Sequence, residues 1–171
     1  LFYKTKQNTT DAWKQVWDYN SYTNLAQAYA HVKYSYNDQL TLNAGLHSQL
    51  FSLNNSVSLE PRLGLKYDIN GKSSLNFGYG LHSQMQPIIV YFLQSQNADV
   101  SYIYNNKDLD FTKSHHFVLG YDLQPFKDWR LKAEAYYQSL YDVPVNTFSS
   151  SYCMLNTGAS FKTDLEDKLT N

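Results

Sequence analysis

The sequence predicts an all-β fold: antiparallel, up-and-down strands forming about six strands of a larger transmembrane β-barrel with long extracellular loops. Three observations carry this. Apolar and polar residues alternate with period two through successive runs of the chain. Each run is about 10 residues or longer, enough to cross a bilayer at a tilt, whereas soluble strands usually have about five or six. The connections alternate short and long, as they do when short turns face the periplasm and long loops face outward.

Taken in order, residues 1–24 lack a clean period and read as an extracellular loop, with Trp13, Trp17, Tyr19 and Tyr22 among polar residues and a short helix expected near Asp11–Tyr19. Strands and their connections fill residues 25–141. The first strand sets Ala26, Ala28, Ala30, Val32 and Tyr34 against Gln27, Tyr29, His31, Lys33 and Ser35, and ends in a tight turn at Asn37-Asp38. The second sets Leu40, Leu42, Ala44 and Leu46 against Thr41, Asn43, Gly45, His47 and Gln49, before a loop near Phe51–Asn55. The third is the cleanest: Val57, Leu59, Pro61, Leu63, Leu65 and Tyr67 oppose Ser58, Glu60, Arg62, Gly64 and Lys66. A turn at Ile69-Asn70-Gly71 leads to the fourth, where Leu75, Phe77, Tyr79 and Leu81 oppose Asn76, Gly78, Gly80, His82 and Gln84.

An irregular stretch from about Met85 to Lys113 follows. The fifth strand carries Phe117, Leu119, Tyr121 and Leu123 and ends at a turn over Gln124–Asp128. The sixth alternates from Trp129 to Gln138. Residues 142–171 read as a second extracellular loop, with a short alternating piece near Leu155–Phe161. No signal-peptide pattern opens the sequence at Leu1 and it closes in a loop, so the chain reads as a fragment whose plug and remaining strands lie elsewhere.

Composition narrows the function classes. A net charge of −1 supplies no basic field for nucleic acid. No apolar run approaches the roughly 18 residues of a spanning helix, which leaves a barrel open, because its strands are apolar on one face only. Charged residues are 17%, below the roughly 25% typical of soluble domains. Sixteen tyrosines supply side chains with an apolar body and a polar tip, suited to membrane interfaces and to binding loops. With one cysteine, Cys153, neither an internal disulfide nor a zinc set is available. The sequence holds no nucleophile–base pairing, phosphate-cradling glycine loop or HExxH, so no enzyme and no cofactor are expected.

The alternation also suits half of a large sandwich. Two alternatives therefore stay open: a soluble or surface β-sandwich that binds carbohydrate or peptide, and a barrel adhesin or channel without energy coupling. A closed soluble barrel would need an apolar interior, and these strands would be inside out for one.

Several runs, in order, resemble segments of TonB-dependent outer-membrane receptors: Leu59-Glu60-Pro61-Arg62-Leu63-Gly64-Leu65-Lys66-Tyr67, then Phe77 to Pro87, Ser114-His115-His116 leading to Gly120-Tyr121, and Lys132 to Tyr137 up to Val143-Pro144. The match covers about residues 25 to 160. It is similar to the subgroup that often carries an N-terminal carboxypeptidase-regulatory-like domain. The resemblance implies the outer membrane of a Gram-negative bacterium, outer-membrane lipid around the barrel, a plug domain inside it, and TonB-driven uptake of a small solute, glycan or peptide. An iron chelate or a vitamin would also fit.

One short repeat stands out: Gly45-Leu46-His47-Ser48-Gln49 recurs as Gly80-Leu81-His82-Ser83-Gln84. With the third strand between them, the two histidines are expected about 10 Å apart, two strand spacings. A three-residue loop Ile69–Gly71 would place Glu60 opposite Gly80 and Arg62 opposite Gly78, while the preceding hairpin would place His47 opposite Glu60 and Gly45 opposite Arg62. His47, Gln49, Glu60, Arg62, His82 and Gln84 then form a polar belt near the outer rim, touching plug or solute, with Glu60–Arg62 also readable as a simple wall ion pair. In the long connection, Tyr91, Tyr102 and Tyr104 are candidate extracellular contacts, against the plainer reading that they pack the loop together. His115 and His116 point to opposite faces of one strand, so they cannot readily share a metal, and Asp108 with Asp110 falls short of a calcium site.

Overall fold

In the computed structural model of the chain, residues 2–9, 12–20, 22–96, 99, 101–156 and 168–171 are described, of which 2–9, 12–16 and 96 are described by backbone alone. Four short or peripheral elements open and close the chain: β1 (Phe2–Thr9) and β2 (Ala12–Asn20) at the start, β11 (Val145–Asn146) and β12 (Leu169–Thr170) at the end. Between them lie the long strands β3 (Leu25–Ser35), β4 (Leu40–Phe51), β5 (Ser56–Asn70), β6 (Ser73–Gln84), β9 (Thr112–Phe126) and β10 (Trp129–Tyr141). These six make one antiparallel sheet in the order β10-β9-β6-β5-β4-β3, an up-and-down meander with β3 and β10 as its edges.

Strand lengths of 11 to 15 residues match the span expected from the alternation. The inner turns are short because their residues close them locally. The Asn37 side chain accepts from the backbone N–H of Gln39 and Leu40, and that of Asn70 from Lys72 N–H and Ser73 Oγ. The turn after β9 is tighter than expected. Gln124, Pro125 and Phe126 stay in the strand, and Phe126 pairs with Trp129 across Lys127-Asp128.

The β4–β5 register is the expected one, with Gly45 opposite Arg62 and His47 opposite Glu60. The β5–β6 register is not: Arg62 faces Gly80 and Gly64 faces Gly78, two residues from the expected pairing. The cause is a bulge between Asp68 and Asn70, which lets Asn70 pair with Ser73 over a two-residue turn. A shift of two preserves side-chain parity, so every face survives.

The β5–β6 ladder also stops early. It begins at Arg62, so residues 56–61 of β5 pair with β4 alone, while residues 81–84 of β6 pair with β9. The last residue before the break is Pro61, which lacks the N–H a central strand needs. The sheet therefore forks at its outer end.

At that end the connections build their own core. The first, residues 52–55, is no longer than the inner turn 36–39, so the short–long alternation fails there; Asn55 takes a positive φ of 58° to close it. The second connection contains α1 (Ile88–Tyr91), β7 (Gln94–Gln96) and β8 (Tyr102–Tyr104). Its Val90, Phe92, Leu93 and Phe111 bury against Phe51 of the sheet and Trp17 of β2. The short helix expected near Asp11–Tyr19 is instead strand β2 from Ala12 onward, paired with β1; Asp11 lies outside the described residues. Polar and aromatic residues without a period read ambiguously, and pairing to β1 decides them as strand. Of the alternating piece expected near Leu155–Phe161, residues 154–156 are a 3-10 turn and 157–161 lie outside the described residues.

Candidate functional site

The two faces of the sheet are inverted relative to a soluble protein. Leu59, Leu63, Leu119 and Leu131 on the apolar face are 59%, 50%, 56% and 62% exposed. On the other face Gln49, Ser58, Glu60 and Ser114 are buried, Glu60 to 1%. A hollow of about 950 Å³ lies against this polar face near the inner turns, lined among others by Lys66, Asp68, Asn76, Asp122, Arg130 and Glu134.

Glu60 is the hub of the polar face. It lies beside the fork, one residue before Pro61. Its Oε1 accepts from Gln49 Nε2 at 2.5 Å and Ser58 Oγ at 3.1 Å. Its Oε2 accepts from His47 Nδ1 at 2.9 Å and Arg62 Nη2 at 3.3 Å. Four donors on one buried carboxylate explain how a charge can sit there; an unpaired one would be too costly. Gln49 extends the network on both sides, accepting from Gln27 Nε2 on β3 at 2.9 Å and donating to the Ser83 carbonyl on β6 at 3.0 Å. Further along, the His82 ring meets His116 edge-on at 4.6 Å, and Gln138 Nε2 donates to Ser114 Oγ at 3.0 Å. The polar residues thus form a belt across all six strands.

Of the residues expected in that belt, the structure joins His47, Gln49, Glu60 and Arg62 by hydrogen bonds and places His82 on the strand beside them. Gln84 is exposed, pairs with Thr112 through the strand ladder, and makes no side-chain hydrogen bond among the described residues. Sequence reasoning missed Gln27, Ser58, Ser114, His116 and Gln138. Their parity gave the face, but only the full register shows which of them stand at neighbouring levels of it.

The apolar face carries rings. The Tyr79 hydroxyl and His115 Nδ1 lie 3.1 Å apart, His115 stacks on Tyr141 at 5.2 Å, and Phe117 packs against Tyr137. Tyr34, Tyr67 and Trp129 stand exposed toward the inner turns. His115 and His116 take opposite faces as expected, and no group of three or more metal-ligating side chains forms among the described residues.

Among the loop tyrosines, Tyr91 does not stand open to a ligand. It is 1% exposed, its hydroxyl accepts from Gln86 N–H at 3.1 Å, and burial pushes its pKa above the ordinary 10.0. Tyr104 donates to the Asp18 carbonyl at 2.9 Å, pinning β2 to the loop core, while Tyr102 is 38% exposed. An apolar residue flanked by apolar neighbours, as in Ile88-Ile89-Val90-Tyr91-Phe92-Leu93, is the signal that would have marked Tyr91 as core.

Long antiparallel strands with apolar side chains and interfacial rings on one face and polar side chains on the other form the wall of a membrane-spanning β-barrel. The chain matches the family model of TonB dependent receptor-like β-barrels over residues 2–163. It belongs to that family, whose barrels are outer-membrane receptors. No curated protein and no solved structure matches it.

Proposed function

We propose that this chain is part of an outer-membrane receptor of a Gram-negative bacterium that imports a solute by TonB-dependent coupling. Its apolar face would lie against lipid, and its polar face would line an interior shared with a plug domain. The inversion of burial carries the reading: Leu59, Leu63, Leu119 and Leu131 stand open while Glu60 is sealed. A sandwich would bury those leucines against a second sheet. The belt from Gln27 to Gln138 supplies amides and imidazoles for plug or solute. The solute falls among iron chelates, glycans, peptides and vitamins. Residues 1–24 and 142–171 would belong to extracellular loops, in keeping with β2 packing on the same core as α1.

The test uses the intact receptor in its own cell. It should fractionate with the outer membrane. Deleting it, or deleting TonB, should remove growth on the same solute from a panel of iron chelates, oligosaccharides and peptides. A receptor recovered from the soluble periplasm, or growth that survives TonB deletion, contradicts the proposal.

A further inference from the structure

One level of the polar face has an unusual composition. Reading across the six strands through their pairings gives His31, Gly45, Arg62, Gly80, His116 and Gln138. Arg62 thus stands with a glycine on each neighbouring strand. The next level inward on the same face pairs Gly64 with Gly78. Four of the chain's seven glycines therefore surround one arginine. They thin the wall on both sides of Arg62, although the Asn43 side chain stands over Gly64 and the His82 ring over Gly80.

Arg62 is not consumed by its carboxylate. Glu60 already accepts from Gln49, Ser58 and His47, and Arg62 adds a single N–H at 3.3 Å. A guanidinium has five N–H donors in a fixed fork. The other four make no hydrogen bond among the described residues, and the side chain is 49% exposed. His82 leans into the same clearing: a Cβ built on Gly80 would lie 2.8 Å from His82 Nε2. His116 packs edge-on against that ring, and His47 Nε2 makes no hydrogen bond among the described residues. Among the described residues the carboxylate beside this clearing, Glu60, already accepts four hydrogen bonds.

We propose that this clearing is an anion subsite for the imported solute, with the Arg62 fork taking a carboxylate or phosphate bidentately and His82 and His116 donating from one side. The glycine at position 80 leaves the His82 ring room to lie beside Arg62, so that both can reach one group. The proposal rests on the importer reading and narrows it to solutes that carry an anionic group.

The test is calorimetric titration of the purified intact receptor in detergent with citrate, inorganic phosphate and the neutral maltotriose. Citrate or phosphate should bind and maltotriose should not. Arg62→Gln should weaken that binding at least tenfold. Arg62→Lys should recover only part of it, because a point charge replaces the fork. Gly80→Ala, which keeps every charged group, should also weaken it by displacing His82; it decides the matter if Arg62→Gln does not fold. Equal anion binding by the wild type and these variants overturns the proposal, as does no binding by the wild type at millimolar anion. So does a lowered melting temperature in Arg62→Gln with anion binding unchanged, which would assign the guanidinium to holding another part of the protein. Because binding in detergent needs no TonB, a negative result here leaves the uptake reading to its own test.

Discussion

The side-chain amide of Gln49 reaches from β4 past β5 to donate to the backbone carbonyl of Ser83 on β6, 3.0 Å away. It can do so because β5 and β6 have parted beyond Arg62 and left that carbonyl without a ladder partner on β5. Side chains, with Glu60 at their centre, seal a seam that backbone hydrogen bonds would otherwise close.

Pro61 is the residue at which the seam opens. Pro61→Val restores an N–H and suits a strand. Continued in the same register, the ladder would set Glu60 opposite His82 and Leu59 opposite Ser83. The variant should gain about 1 kcal/mol per added backbone bond. Slower hydrogen exchange at the amides of residues 81–83 in the intact receptor would show it. Unchanged exchange would mean that something other than the proline parts the strands.

Glu60→Ala should cost about 3 kcal/mol, because it leaves the buried Gln49 and Ser58 donors and the His47 imidazole without their acceptor. Glu60→Gln keeps the shape and one acceptor oxygen and should lose roughly half of that. Urea unfolding in liposomes reads both. A Glu60→Ala variant as stable as the wild type would show that the network does not hold the seam.

Leu119→Arg should destabilise the intact receptor by about 2–4 kcal/mol if Leu119 lies near the middle of the bilayer. Asn76→Arg, on the polar face, should cost well under 1 kcal/mol. Heat-modified migration of the folded barrel on gels compares the two. Equal penalties would contradict the assignment of faces.

Trp17→Ala should free the β1–β2 hairpin from the loop core. Trp17 is buried, and its Nε1 donates to the Ile89 carbonyl at 2.9 Å. A loss of about 3–5 kcal/mol is usual for a buried Trp→Ala change. Here it should be local: protease should cut residues 10–24 faster while the melting of the barrel stays unchanged. Resistance equal to the wild type would show that the hairpin is held elsewhere.

Period-two alternation made the faces of the six long strands legible, because it needs only parity. The His47–Glu60 pairing followed from parity plus a plausible loop. The β5–β6 register did not, since a bulge near Ile69 has no distinctive residue to announce it. The fork was also hidden: Pro61 was visible on the apolar face of its strand, yet which neighbour it would lose depends on hydrogen-bond direction. The docking of β2 on the loop core and the burial of Tyr91 depend on contacts distant in sequence, such as Tyr104 with Asp18, 86 residues away, that no local pattern encodes.

The direction of the apolar face is the claim on which the rest stands. With Cys153 replaced by serine, single spin labels at residues 57, 59, 63 and 65 and at 58, 62, 64 and 66 of β5 can be read in the intact receptor in bilayers. The odd positions should collide with dissolved oxygen as lipid-facing sites do. The even positions should be shielded from it and reached, where open, by a water-soluble nickel complex. The opposite alternation would turn that face to water, and odd positions shielded from both reagents would place it against protein; either contradicts the barrel wall described above.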